Sequence, residues 1–295
     1  MNGCECLRAL LERPGFLFGP GVYDCLSAKV AEQSGCELIF SSGFGIAAAT
    51  LGLPDIGLIT GTEMLQAAGH IAAAVRIPLI ADMDTGYGNP LNVIRTVTSA
   101  RQLGVAGVIL EDQEWPKRCG HMSGKRIISL EEHVEKIRAA VHAREEGGAG
   151  GGAREGDIVI VARTDARAIE GLDAAIRRGQ RYREAGADMI FVEAPESAEE
   201  LRTIAKELAG VPLMVNLVEG GRTPNLPFQE LAAMGFKLGV SPLSALFEAT
   251  AAMQKCFLTM REEGTVGTRA VDFDAFKEIV ATERFYALER RFTSP

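Results

Sequence analysis

Directly behind the apolar run Val105 to Leu110, the chain reads EDQEWPKRCGHM from Glu111 to Met122. Acids, a Trp, a Lys, an Arg, a Cys and a His fall within a dozen positions there. Lys117, Arg118 and His121 flank Cys119, and positive charge of that kind lowers a thiol pKa, which suits thiolate or acid–base chemistry. An inert buried cysteine keeps apolar neighbours instead. Taken singly, His121 reads as a satisfied loop histidine, Lys117 as a solvated surface charge and Trp115 as a packing anchor. Their clustering behind a strand-like run is what gives Lys117 and His121 weight.

A second constellation is Asp82-x-Asp84, again at the end of an apolar run, with Glu111 expected on the adjacent strand. Three acids cannot share a small cleft without a counter-charge. Hard oxygen ligands at this density suit Mg2+ or Mn2+, held by one or two direct carboxylates with waters and substrate completing the shell. D-x-D alone is a weak motif, because Asp84-Thr85-Gly86 also reads as a turn.

These residues need a scaffold that gathers strand ends. Eight short apolar runs recur along the chain: 16–18, 38–40, 78–81, 105–110, 158–162, 189–192, 212–215 and 237–240. Segments of helical periodicity separate them, at 24–34, 62–75, 91–103, 130–144, 172–185 and 198–208. Gly35, Gly104 and Gly186 stand where left-handed helix caps are needed before a strand. This alternation predicts an α/β fold, a (β/α)8 TIM-type barrel over residues 1–242, followed by a helical extension over 243–295. The extension reads as one long helix from Leu243 to Glu263 and another from Phe273 to Arg291, more helix than a barrel needs. The whole of 1–295 is read as one domain.

Active sites of such barrels collect at the C-terminal strand ends. Seven of the eight runs are followed by polar or charged residues: Ser41-Ser42-Gly43, Asp82 and Asp84, Glu111 and Asp112, Arg163 and Asp165, Glu193, Asn216 and Glu219, and Ser241. The opposite ends carry a thinner and more ordinary set.

Composition bounds the partners. The chain has 295 residues, 47% hydrophobic and 24% charged, with 31 Lys and Arg against 39 Asp and Glu, a formal charge of −8. No basic stripe offers itself to nucleic acid. No apolar stretch reaches the ~18 residues of a membrane span, and the first residues do not read as a signal peptide, so a cytoplasmic location is expected. Six scattered cysteines in a chain of this length predict reduced thiols, with Cys4-x-Cys6 on a flexible, exposed terminus. The glycine-rich stretch from Glu145 to Asp157 reads as a surface loop.

The chain resembles the isocitrate lyase and phosphoenolpyruvate mutase superfamily, and within it the short-chain lyases that cleave 2-methylisocitrate and 2,3-dimethylmalate. PGVYDCLSA at Pro20, SSGFG at Ser41, LGLPD at Leu51, ADMDTGYGN at Ala81, LEDQ at Leu110 and PKRCGH at Pro116 carry the likeness, with ARTDA at Ala162, GADMIFVEAP at Gly186 and NLVEGGRTP at Asn216. The cysteine of PKRCGH is the specific part, since the family's mutases and phosphonate hydrolases generally lack it. The resemblance implies Mg2+ in the barrel mouth, held by Asp84 directly and by Asp55, Asp82 and Glu111 mainly through waters. It also implies that Ser41, Ser42, Gly43, Asp82, Gly120, Arg163, Glu193 and Asn216 contact a small carboxylate substrate, with Cys119 as general acid tuned by Lys117 and His121. Tyr23, Glu193 and a metal-held water are the candidate bases. C-terminal helices exchanged between subunits of a homotetramer, a dimer of dimers, complete the implied picture. The stretch NLVEGGRTP points to an alkylmalate lyase or an oxaloacetate hydrolase more than to a methylisocitrate lyase.

A phosphoenolpyruvate mutase or phosphonate hydrolase needs no acid, and Cys119 argues against it. A Schiff-base aldolase using Lys117 needs a depressed lysine pKa, which this loop has little reason to supply. A non-catalytic barrel has no need of crowded acids beside a thiol.

Overall fold

A computed structural model of the chain describes residues 2–120, 122, 124–146, 157–266 and 271–293. His121 and most of the glycine-rich stretch, residues 147–156, lie outside the described residues. The first half runs α1 (Gly3–Glu12), β1 (Leu17–Val22), α2 (Cys25–Gln33), β2 (Ile39–Ser41), α3 (Gly43–Leu51), α4 (Gly61–Ala74), β3 (Leu79–Asp82), α5 (Pro90–Gln102), β4 (Gly107–Glu111) and α6 (Leu130–Glu146). The second half runs β5 (Val159–Thr164), α7 (Arg167–Glu170), α8 (Leu172–Glu184), β6 (Met189–Val192), α9 (Ala198–Glu207), β7 (Leu213–Asn216), α10 (Phe228–Met234) and β8 (Leu238–Ser241). The extension follows as α11 (Ser244–Glu263), α12 (Phe273–Ile279) and α13 (Thr282–Phe292).

The eight strands are parallel and close in sequence order, β8 returning to β1. This is the expected (β/α)8 barrel. Parallel strands covered on both faces must be apolar throughout, and β4 and β5 are buried at every position. Most strands run one or two residues past their apolar run, so Asp82, Glu111, Arg163, Asn216 and Ser241 belong to the ladder itself. Register then fixes neighbours: Glu111 on β4 pairs with Arg163 on β5, and Asp82 on β3 sits beside Ile109 on β4.

Four expectations need correction. β1 extends beyond the expected run 16–18 through Gly19-Pro20-Gly21; a side chain at Gly21 would strike the backbone of Pro242, so glycine lets β1 pass the end of β8. The N-terminus is no loose tail. A capping box between Asn2 and Glu5 starts α1, whose face of Cys4, Leu7 and Leu10 packs on the barrel, with Cys4 Sγ 3.6 Å from Val105 O. α3 was missed because GFGIAAATL is apolar all round and shows no amphipathic period. The final helix is two, divided where Ala281 takes a left-handed φ of 56°, beside the β-branched Ile279, Val280 and Thr282.

No residue of α11, α12 or α13 is buried within this chain. Phe257, Phe273, Phe285 and Phe292 are all more than half exposed there.

Candidate active site

At the C-terminal ends of the strands the charged residues interlock. Asp82 closes β3, and two residues on Asp84 is wholly buried with a left-handed φ of 47°, its N–H donating to Asp82 Oδ1 at 3.2 Å. Tyr87 and Ala194 share that backbone region, and strain of this kind collects at functional sites. Arg163, near the end of β5, is the hub of a second cluster. Its Nε lies 3.3 Å from Glu111 Oε2 and 3.0 Å from Asp165 Oδ2, and its Nη2 lies 3.2 Å from Glu193 Oε2. Asn216 Nδ2 donates to Glu193 from the end of β7 at 3.4 Å.

The loop behind β4 is folded down onto this mouth. Gln113 straps it, donating to Arg118 O at 2.8 Å and accepting from Arg118 N–H at 3.0 Å. Lys117 is only 3% exposed, with Nζ 2.5 Å from Asp55 and 2.7 Å from Asp84. Burial pulls the Lys117 ammonium pKa down, but Asp84, Asp55 and Glu111 outweigh that and hold it well above its ordinary value. A lysine so paired keeps its proton and is no Schiff-base nucleophile. Cys119 N–H donates to Asp55 O at 3.2 Å, and Gly120 lies against Arg163 and Glu193.

Beneath the loop lies a cavity of about 230 Å3, the size for a small carboxylic acid. Asp55, Asp82, Lys117, Cys119, Arg163 and Glu193 line it, with Ser42 and Asn216. Val218, Pro242, Leu243 and Phe247, from the segments after β7 and β8, line it with Phe44 of α3. Ser42 also caps α3 through Gly45 N–H, and Gly43 abuts Asp82 Oδ2. Ser41 is fully buried on β2, and its Oγ has no hydrogen-bond partner. Asp84 and Glu111 lie outside the lining, tied to it through Lys117 and Arg163.

Tyr23, a candidate base, does not line the cavity; its Cβ packs on Gly45, and burial, then Asp24, raises its phenol pKa. Glu219 and Ser241 hydrogen-bond Ser244 at the start of α11 and are likewise not in the lining. His121 cannot be placed, lying outside the described residues.

The donor set suits a hard divalent cation. Carboxylates of Asp55, Asp82, Asp84, Glu111, Asp165 and Glu193 outnumber the cations Lys117, Lys125 and Arg163 around the mouth. Burial raises the Asp82 pKa, with the Asp84 charge adding to it, and burial lifts Glu111 well above the usual carboxylate range against the pull of Arg163. Asp84 Oδ2 and Glu111 Oε1 are buried with no hydrogen-bond partner. Among the described residues no three Asp, Glu, His or Cys side chains converge as a cage, so the four expected acids do not form an all-protein metal site. One direct carboxylate with waters, the arrangement Mg2+ prefers, fits what is there.

The sequence matches the family described as phosphoenolpyruvate phosphomutase over residues 7–260, nearly the whole barrel and most of α11. The chain belongs to the phosphoenolpyruvate mutase/isocitrate lyase superfamily. Among curated members of this superfamily, it is 41% identical over 297 residues to a 2,3-dimethylmalate lyase of Eubacterium barkeri, covering 100% of this chain and 99% of that protein. It is 38% identical over 282 residues to a 2-methylisocitrate lyase of Bacillus subtilis, covering 96% and 89%. Among solved structures, an oxaloacetate acetylhydrolase in complex with 3,3-difluorooxalacetate superposes with a TM-score of 0.92 at 36% identity, covering 98% of this chain and 96% of that one. A phosphonopyruvate hydrolase in complex with oxalate and Mg2+ superposes at 0.87 with 30% identity, each chain covered to 99%.

Within this superfamily fold, several site residues escaped the sequence reading. The Tyr87 hydroxyl is buried near Asp84, and burial followed by the Asp84 and Asp82 charges drives its pKa well up. An aromatic in the turn after a strand-end Asp was the available signal. Phe247 lies in the first turn of a long helix and gave none.

Gly120 offers a direct test of the packed-down loop. A β-carbon there would collide with Arg163 Nη2 and come within 2.6 Å of Glu193 Cδ. Overpacking of this kind costs about 1–3 kcal/mol, or roughly 5- to 150-fold in the equilibrium constant for the packed loop. Gly120→Ala is expected to lower turnover by up to that factor and leave the thermal midpoint unchanged, because the loop can swing away without unfolding the barrel. Turnover equal to the wild-type rate would show that the contact is dispensable.

Proposed function

We propose that the chain is a carbon–carbon lyase that cleaves a 2-hydroxy di- or tricarboxylate to a 2-oxo acid and a carboxylate, with a 2-alkylmalate such as 2,3-dimethylmalate as preferred substrate. The observation that carries this reading is Cys119 on the lining of a small cavity, on a loop packed against Arg163 and Glu193. Mg2+, or Mn2+ in its place, would be held by Asp84 with Asp82, Glu111 and Asp55 around it; when bound it would acidify the substrate 2-hydroxyl and polarise the adjacent carboxylate.

The chain's own groups do the rest. Lys117 stays charged between Asp55 and Asp84 and fixes both carboxylates. Glu193 lines the cavity within reach of Arg163 and Asn216 and is placed to take the hydroxyl proton. As the carbon–carbon bond breaks, its electron pair passes into the departing fragment's own carboxylate. Arg163 stabilises the growing charge: burial opposes its proton, but Asp165, Glu193 and Glu111 hold its pKa well above the ordinary value. Cys119 Sγ gives its proton to the departing carbon and is left as a thiolate, and the loop excludes water from that step.

The distal wall sets the substrate. Lys117 and Arg163 are the cations among the described lining residues, and both are already committed to carboxylates. A third carboxylate, as in 2-methylisocitrate, would face Phe44, Val218, Leu243 and Phe247, where an unpaired charge is costly. A rate preference for 2,3-dimethylmalate over 2-methylisocitrate of at least about 100-fold in kcat/KM is expected, measured side by side by pyruvate release. The reverse preference would mean that the distal wall accepts a third carboxylate. A hydrolase acting on hydrated oxaloacetate is the second reading, favoured by the small cavity and using the same groups. Release of oxalate from oxaloacetate at the higher kcat/KM would put it first.

The assembly is proposed as a homotetramer of single-domain subunits. The apolar faces of α11 to α13 support it, because exposed patches of that kind mark subunit contacts. No helix of the described residues is long and apolar enough to cross a membrane, and a cytoplasmic location is proposed.

A further inference from the structure

Lys125 has no part in the chemistry above, yet its ammonium is buried. Its side chain is 2% exposed, with Nζ 2.7 Å from Asp165 Oδ1 and donating to Gly120 O at 2.5 Å. Asp165 is itself anchored from behind. Arg163 grips both its oxygens at 3.0 and 3.2 Å, and its N–H donates to Asp112 Oδ1 at 2.8 Å. Asp112 Oδ2 in turn accepts from Thr164 Oγ1 and the Tyr182 hydroxyl, each at 2.7 Å, and from Arg178 Nη1 at 3.2 Å. A continuous run of charge-assisted hydrogen bonds thus leads from α8, through the end of β5, to the backbone of the residue after Cys119.

Neutralising Asp165 does not require this lysine. Burial pushes the Asp165 carboxyl up, but Arg163 and then Lys125 bring it down to about 2, and Arg163 already meets both oxygens. What Lys125 alone adds is the bond to Gly120 O, across five residues of loop. Burying an ammonium and freezing its stem both cost free energy, which the two oxygens together offset.

We infer that Lys125 is a positioning residue, tying the backbone of the Cys119 loop to Asp165 so that Cys119 is presented to the cavity only while that tie is made. This rests on the proposed lyase chemistry for its turnover effect but not for its structural effect, and the two can be read separately.

The experiment uses the full chain as wild type, Lys125→Met, Lys125→Gln and Lys125→Arg. Each is treated with iodoacetamide without substrate, and labelling of each cysteine is followed by peptide mass spectrometry. Cys256 on α11 has the same surroundings in every variant and is the internal standard, and buried Cys4 reports an intact fold. A hydrogen bond from a charged donor is worth about 1.5–3 kcal/mol, so Lys125→Met should label Cys119 at least about tenfold faster relative to Cys256. Lys125→Gln should fall between, and Lys125→Arg should restore slow labelling. With 2,3-dimethylmalate, kcat should drop by a comparable factor while KM moves less than about threefold, the mark of a group acting on the reacting step rather than on binding.

An unchanged Cys119 to Cys256 ratio in Lys125→Met, with Cys4 protected, would overturn the assignment. Should Cys4 label rapidly in that variant, Lys125→Gln carries the decision on the same criterion. Were the wild type to turn over none of the offered acids, the lyase reading would fall while the labelling ratios still decide the role of Lys125.

Discussion

Cys119→Ser is expected to lose roughly 10²- to 10⁴-fold in kcat, the range for removing a positioned general acid. A hydroxyl is a far weaker acid than a thiol, so it cannot deliver a proton to the departing carbon in time, although it fills nearly the same space. KM should stay within about threefold, because Arg163, Asn216 and the floor of the cavity are untouched. Cys119 is half-buried on a loop and contributes nothing to the barrel core, so the thermal midpoint should not move. Kinetics across the alkylmalates, with a melting curve as control, separates these outcomes. A serine variant with wild-type kcat would remove the cysteine from the chemistry and bring phosphoenolpyruvate-type reactions, which need no acid, to the front.

The second large effect lies at Asp84. This carboxylate is fully buried, keeps an oxygen without a hydrogen-bond partner and faces Lys117 with the other. Asp84→Asn preserves shape and removes the charge, so it tests the electrostatic role and not the packing. Metal-assisted activation supplies several kcal/mol, so kcat/KM should fall by about 10³-fold, at 1.36 kcal/mol per decade. Titration calorimetry should show Mg2+ affinity lowered in parallel, and chelator should silence the wild type until Mg2+ or Mn2+ is returned. If the variant binds Mg2+ as tightly as wild type, Asp84 is not the direct ligand, and Glu111, with its own orphaned oxygen, becomes the alternative.

The barrel was legible because a parallel strand covered on both faces must be written as an unbroken apolar run, and each of the eight runs became a strand. α1 was hidden by its cysteines, which drew attention as thiols when Cys4 is a small apolar residue under a capped helix. β1 was cut short because Gly-Pro-Gly signals a turn to local rules, while the requirement it meets, passage beside Pro242, is long-range. In the site, acids at strand ends stood out, since charge directly behind an apolar run is conspicuous. Lys117 did not show its burial: its partners Asp55 and Asp84 lie 62 and 33 positions earlier, and only folding brings them within 2.5 and 2.7 Å. Lys125 and the apolar wall of Phe44, Leu243 and Phe247 were invisible for the same reason, each being ordinary in its own segment.

The most direct measurement follows pyruvate and oxalate formation with Mg2+, offering 2,3-dimethylmalate, 2-methylisocitrate, oxaloacetate and phosphonopyruvate separately to the full chain. Pyruvate formed one-for-one with propionate from 2,3-dimethylmalate, stopped by chelator and restored by Mg2+, is the predicted result. Pyruvate from phosphonopyruvate alone, with none of the three carbon–carbon substrates cleaved, would contradict it.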